Sequence, residues 1–275
     1  MKRRLFALLL VPLFFSLSCS RVPITGRRQA ALIPEAEMQS MSYSEYTKFL
    51  NSHTVVNAPD SSAVLVTRVG RNISAAIVKY LNEHKQSKRV KGYAWQFRLV
   101  QSTEVNAWCM PGGKVVVYTA LLPITKDEKG LAVVLGHEIA HAIARHGNER
   151  MTQQLAIQMG GVALSVAMSQ NSAQTQQIFQ QVYGVGTGLG ALAYSRKHET
   201  EADKLGLCFM AMAGYDPNSA IPFWERMAQN SGGAPIALLS THPSDAQRIK
   251  DIKAFMPTAL KYYKKPGATT RAAGK

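Results

Sequence analysis

The stretch GHEIAHAIARHG at positions 136–147 carries His137 and His141, four apart, with Glu138 directly after the first histidine. In an α-helix positions i and i+4 share a face, so both imidazoles can be presented to one metal ion. Glu138 is turned by about 100° from His137, beside that ion, where its carboxylate can take a proton from an attacking water. The ion this spacing suits is Zn2+, which lowers the pKa of water toward about 7 and polarises a peptide carbonyl. With seven histidines in 275 residues, random placement would produce the triplet on the order of 0.006 times per chain. The context LAVVLGHEIAHAIARHG surrounds it with small and apolar residues, as a buried helix requires.

Two histidines do not complete a zinc site. In the metzincin pattern a histidine follows ten residues after the first, but position 147 is glycine and His146 falls one place short. The thermolysin-like solution is a glutamate on a later helix. HETEAD at 198–203 offers it, because Glu199 and Asp203 share a helical face. Glu199 is then the third ligand. Asp203 accepts a hydrogen bond from a ligand histidine and fixes its tautomer. Glu201 is turned off the metal, and His53, His84 and His146 take no metal role. A purely structural zinc is disfavoured, since such sites are usually closed by Cys and His and have no use for Glu138.

The elements that must position these residues are legible from periodicity. Helical spacing runs from Glu35 to about Asn51 and from Ser61 to about His84, where Val64, Val69, Ile73, Ile77, Val78 and Leu81 form one face. Residues 93–102, 104–110 and 112–122 read as three short strands, the last two joined at Pro111-Gly112-Gly113, a small antiparallel meander. The motif helix follows, from Asp127 to Gly147. Further helices are expected at 149–169, 174–194, 195–214, 218–230 and 244–263, with Gly160 and Gly161 as the hinge of a possible lid. The fold class is α+β, predominantly α-helical, with the small sheet beside the HExxH helix.

Composition bounds the rest. A 30.1 kDa chain that is 46% hydrophobic and 18% charged is globular and fits one generous domain. No repeat of solenoid period is present. Residues 1–18 have a basic start (Lys2, Arg3, Arg4) and an apolar run from Leu5 to Leu17, the pattern of a secretory signal peptide. Cys19 at the cleavage point suggests a lipoprotein acylated there, although Ser16 and Leu17 depart from the usual order before such a cysteine. Ser20 rather than aspartate favours the outer membrane of a bacterial periplasm. The expected layout is a lipid-anchor linker over 19–34, a peptidase domain over 35–262 and a basic flexible tail over 263–275. The formal charge of +15 falls to +12 without residues 1–18. In an exported protein that charge argues for anionic lipid, an acidic partner or simple solvation, and against nucleic acid. Cys109 and Cys208 fit two buried, unpaired thiols better than a disulfide, and neither lies in a Cys-x-x-Cys motif.

HEIAH, SRKHETEADKLG, AGYDP and STHPSDAQRI together resemble the zinc metallopeptidase family of HtpX, the CAAX prenyl endopeptidases and the periplasmic proteases BepA and LoiP. The likeness runs from about Arg21 (the VPITGRRQ stretch) to about Ile252 and is nearest to the short exported, lipoprotein-type members. The resemblance implies a zincin-like metalloprotease domain, one Zn2+ held by His137, His141 and Glu199, and a role in protein quality control on unfolded or misassembled envelope proteins. It also places His242 and Arg248 toward the zinc. His242 would donate to the oxyanion or ligate the metal in a latent state, and Arg248 would support the same charge. The strand segment implies main-chain binding of an extended substrate, along Val115, Val116, Val117 and Tyr118 or along Asn106 to Cys109. A second reading is a latent protease that acts mainly as an assembly or chaperone-like factor for outer-membrane proteins.

Overall fold

The computed structural model describes residues 19–159, 172–184, 194–229, 238, 239, 242 and 246–263. The expected signal peptide, the Gly160 and Gly161 hinge and the basic tail beyond residue 263 lie outside the described residues. In chain order the elements are β1 (Cys19–Arg21), β2 (Arg28–Ala30), α1 (Glu35–Ser52), β3 (Val55–Val56), α2 (Ser61–Glu83), β4 (Gln96–Val100), β5 (Ala107–Met110), β6 (Lys114–Tyr118), α3 (Leu122–Thr125), α4 (Glu128–Ala144), α5 (His146–Met159), α6 (Ala173–Tyr183), α7 (Arg196–Met212), α8 (Ala220–Gln229) and α9 (Ala246–Leu260). The helix-dominated α+β class stands.

Helix starts follow their local chemistry. Asp60 accepts hydrogen bonds from the backbone N–H groups of Ser62 and Ala63, Asp127 from Gly130, and Ser195 from His198. The α2 face Val66, Val69, Ile73, Ile77 and Leu81 is fully buried, each side chain contributing about 1.5–3 kcal/mol of transfer free energy. Val64, expected on that face, points outward at 43% exposure.

The sheet departs from a simple meander. Its order is β3-β4-β6-β5, with β4 parallel to β6 and β5 antiparallel to it. The β5–β6 hairpin turns through Gly112 and Gly113, both at positive φ that glycine adopts without strain. The connection 101–106 arches over the end of β6, held by Ser102 N–H donating to Thr119 Oγ1 and Thr119 Oγ1 donating to Ser102 O, each at 3.0 Å. β6 therefore becomes an interior strand. All five of its residues are buried, as its unbroken KVVVY run allows. Both backbone edges of Val115, Val116, Val117 and Tyr118 are already paired, so these residues are not the substrate-binding edge expected of them. Among the described residues the edge beside α4 is β5.

Helix α1 covers one sheet face, where Tyr46 and Phe49 meet Val100, Val116 and Tyr118. Helices α2 and α4 cover the other, with Val115 and Val117 in the main core. The 19–34 stretch is not the linker expected. Val22 and Gln29 are buried, and β1 pairs with β2 as a hairpin on the domain. Both Cys109 and Cys208 are buried free thiols.

Helix α4 is buried on every side and packs on α7 at two glycines. A Cβ built on Gly136 would sit 2.8 Å from Gly206 O, and one built on Gly206 would sit 2.9 Å from Gly136 C and His137 N. The obstructing atoms are backbone and cannot rotate aside. Helix propensity alone would make Gly206→Ala stabilising by about 1 kcal/mol. Overpacking is expected to reverse that sign and leave the variant destabilised by about 1–3 kcal/mol, read as a lower midpoint in chemical denaturation.

Candidate active site

Helices α4 and α7 each bring a pair of side chains one turn apart to their shared interface: His137 and His141 from α4, Glu199 and Asp203 from α7. Because Gly136 and Gly206 bring the backbones close, these pairs meet over short distances. His137 Nε2 lies 3.1 Å from His141 Nε2 and 3.4 Å from Glu199 Oε2, and His141 Nε2 lies 3.3 Å from Glu199 Oε1. His242 joins them, its Nδ1 2.9 Å from Glu199 Oε1 and 3.2 Å from His137 Nε2. The four residues are buried and their ligand atoms fall within 4.8 Å of one another.

This donor set fits a metal ion. Ligands about 2.0–2.1 Å from a tetrahedral zinc lie about 3.3 Å from each other, close to the spacing seen. Imidazole nitrogens this near one another gain little as hydrogen-bond partners and much by sharing a cation. Glu199 Oε2 is buried and takes no hydrogen bond, with Arg248 Nη2 3.6 Å away, a position that a cation at hand would satisfy more fully. Glu138 Oε1 is likewise buried without a hydrogen bond, 3.6 Å from His242 Nε2. Three histidines and one carboxylate are the ligand types zinc prefers.

The electrostatics are set by the same neighbours. Burial pushes Glu138 above the ordinary carboxylate range, against the pull of His242 and His137. Burial would also raise Glu199, but His242, His137 and His141 outweigh it and hold the group ionised far below that range. His137 is raised to about 9, because Asp203 and Glu199 overcome the burial that disfavours its charge. His141 is driven well down by burial.

Asp203 stands behind His137, where Nδ1–H donates to Oδ1 at 2.9 Å. Arg248 grips the same carboxylate through Nε at 2.8 Å and Nη2 at 2.7 Å, and Nη1 donates to His242 O at 3.3 Å. Its guanidinium lies 3.4 Å from the centre of the Trp224 ring. Arg248, placed toward the zinc by the resemblance, binds Asp203 and the His242 carbonyl and also faces the cluster, its Nη2 3.6 Å from Glu199 Oε2. Tyr194 stacks on His141, ring centres 4.1 Å apart.

Other parts of the site gave no sequence signal. Helix α4 does not run to Gly147: it stops at Ala144, where Arg145 adopts a left-handed conformation (φ 58°) with an ion pair to Glu35 at 2.9 Å. A non-glycine there is uncommon. The break turns His146 back, so its Nδ1 sits 3.0 Å from His141 Nδ1 and its Nε2 3.0 Å from Glu201 Oε2. Neither His146 nor Glu201 is one of the four clustered residues, but His146 stands directly behind His141 and Glu201 stands behind His146. His53 and His84 are remote, stacked on Phe49 and Tyr80.

A family model described as peptidase family M48 matches residues 71–256. The mitochondrial metalloendopeptidase OMA1 of Schizosaccharomyces pombe is 34% identical over 242 residues, covering 86% of this chain and 66% of that protein. The mitochondrial metalloendopeptidase OMA1 of Homo sapiens is 29% identical over 271 residues, covering 93% and 49%. The beta-barrel assembly-enhancing protease of Escherichia coli is 25% identical over 244 residues, covering 87% and 48%. The chain spans 48% to 66% of the length of these relatives.

Among the described residues Asp203 reaches the site through His137 and Arg248. Asp203→Asn is therefore expected to lower metal affinity by about 10–100-fold while leaving the ligand set intact, as measured by competition with a chromogenic chelator.

Proposed function

The chain belongs to peptidase family M48, and from that premise we propose that it is a zinc-dependent metalloendopeptidase that cuts misfolded or misassembled cell-envelope proteins. The observation that carries the reading is the buried cluster of His137, His141 and Glu199 with the unsatisfied carboxylate of Glu138 beside it. The three residues would hold the metal, and His242 supplies a fourth donor at rest. A bound zinc ion would supply Lewis acidity, making the attacking water more acidic and polarising the scissile carbonyl. Glu138 takes the proton of that water and returns it to the departing amine. Its raised pKa suits both halves of the transfer. Asp203 and Arg248 keep His137 in the tautomer whose Nε2 faces the metal.

Substrate main chain pairs with β5 over Ala107–Met110, the edge strand beside α4. This strand overlaps the Asn106 to Cys109 alternative, shifted by one residue. Recognition through backbone hydrogen bonds leaves the substrate sequence loosely specified, which suits removal of unfolded chains. Support for an envelope location comes from the signal-peptide pattern before Cys19 and from the bacterial relative named for β-barrel assembly. Among the described residues no helix is long and apolar enough to cross a membrane. The attachment we propose is lipid at Cys19, to the outer membrane.

A second reading has a specific observation in its favour. With His242 Nδ1 among the donors, the position an attacking water needs is filled by protein. The resting chain is then latent, and a binding or assembly role for outer-membrane proteins becomes tenable.

Glu138→Gln is expected to retain one zinc per chain and to lower casein cleavage by about 10²–10⁴-fold; a wild type without stoichiometric zinc would sink the reading. His242→Ala is expected to raise cleavage. A fall instead would make His242 part of the catalytic machinery rather than its restraint. If Glu138→Gln still supports envelope integrity in cells, the assembly role prevails. Cys19→Ser is expected to abolish fatty-acid labelling, and labelling that persists removes the anchor.

A further inference from the structure

The turn between β1 and β2 lies outside the residues matched by the family model, yet it reaches the back of the metal site. It is closed by Val22 N–H donating to Arg27 O at 2.9 Å and Gly26 N–H donating to Val22 O at 3.0 Å. Arg27 Nε donates to Glu201 Oε2 at 2.7 Å, and its Nη1 and Nη2 bind both oxygens of Glu149 at 2.8 Å. Thr25 Oγ1 donates to Glu201 Oε1 at 2.5 Å. Glu201 is thereby held from the hairpin side while His146 Nε2 meets it at 3.0 Å from the other. The same hairpin holds the end of α4. Gln29 Nε2 donates to Ala144 O at 2.6 Å, and Arg89, which bonds Gln29, donates to Ile143 O at 2.8 Å.

Only one proton arrangement satisfies this chain if His141 presents Nε2 to a metal. Nδ1 of His141 must carry hydrogen and donate to His146 Nδ1, and Nε2–H of His146 must then donate to Glu201. The result mirrors the other ligand: His137 is backed by Asp203 and Arg248, and His141 is backed by His146, Glu201 and Arg27. We propose that Arg27, Glu201 and His146 are positioning residues of the metal site, fixing the ring orientation and tautomer of His141, so that the N-terminal hairpin is a working part of that site. The inference rests on the reading of His141 as a metal ligand.

Glu149 supplies the control. It shares Arg27 and is buried like Glu201, but its other partners are His198 Nε2 at 3.2 Å and Gln29 Nε2 at 3.5 Å, and among the described residues it makes no hydrogen bond to His146 or His141. The full chain is prepared as wild type, Glu201→Gln, His146→Phe, Arg27→Gln and Glu149→Gln. Each is loaded with zinc alone under chelator competition, and with cobalt for its visible d–d spectrum. Unfolding of the metal-free forms is followed in parallel. Glu201→Gln and His146→Phe are expected to lose about 10–100-fold in zinc affinity and to shift the cobalt spectrum, with Arg27→Gln intermediate. Glu149→Gln keeps wild-type affinity and spectrum even where its metal-free stability falls as far as that of Glu201→Gln. Equal zinc affinity in Glu201→Gln and wild type overturns the proposal, as does an equal loss in Glu149→Gln, which would reduce the hairpin to structural support. A wild type that binds no zinc removes the metal reading itself, a result distinct from either.

Discussion

The contact that the rest of the site depends on is the backbone approach of α4 to α7 at Gly136 and Gly206. Each helix carries a pair of functional side chains one turn apart, and neither pair is a metal site alone. With a Cβ at either glycine the backbones would have to separate, and donors now 3.1 to 3.4 Å apart would separate with them. Side-chain flexibility cannot replace that approach, since histidine rings and a short carboxylate have little reach. The apolar surface of α4 serves the same end by fixing the helix against α2 and the sheet.

Such an arrangement concentrates charge in a buried place. Glu138, Glu199, Asp203, Glu201 and Arg248 are all buried, and isolated buried charges are costly. The solution is pairing by layers. Asp203 answers both His137 and Arg248, Arg248 lies on Trp224, and Glu201 answers both His146 and Arg27. Of these five side chains, the two with a buried atom left without a hydrogen bond, Glu138 and Glu199, are the two nearest the chemistry. Their unsatisfied state is intelligible if a cation and a water belong between them.

His242 introduces a tension. As a fourth donor it completes a closed set of the kind that suits a structural ion, yet the carboxylate of Glu138 beside it is suited to catalysis. Arg248 holds the backbone of His242 at its carbonyl, so the position of this histidine is coupled to the same arginine that secures Asp203.

The sequence alone carried the periodic and short-range information. The i,i+4 pairs His137/His141 and Glu199/Asp203, the helix starts at Asp127 and Ser195, and the α2 core face apart from Val64 are set by helical geometry within a few residues and were legible. Sheet order was not, because pairing of β4 with β6 depends on where the 101–106 connection crosses, although the apolar run of β6 was a sign of its interior place. The stop at Arg145 was also hidden, since a left-handed arginine is held by Glu35, a residue 110 positions away in the chain. That stop brings His146 to His141 and, with the hairpin at Thr25 and Arg27, joins Glu201 to the site. Local spacing thus marked His137, His141 and Glu199 as residues that can bind a metal, and the family resemblance added His242. Tertiary structure decided which residues hold them in place, because hydrogen-bond partners are fixed by packing between segments and leave no periodic trace.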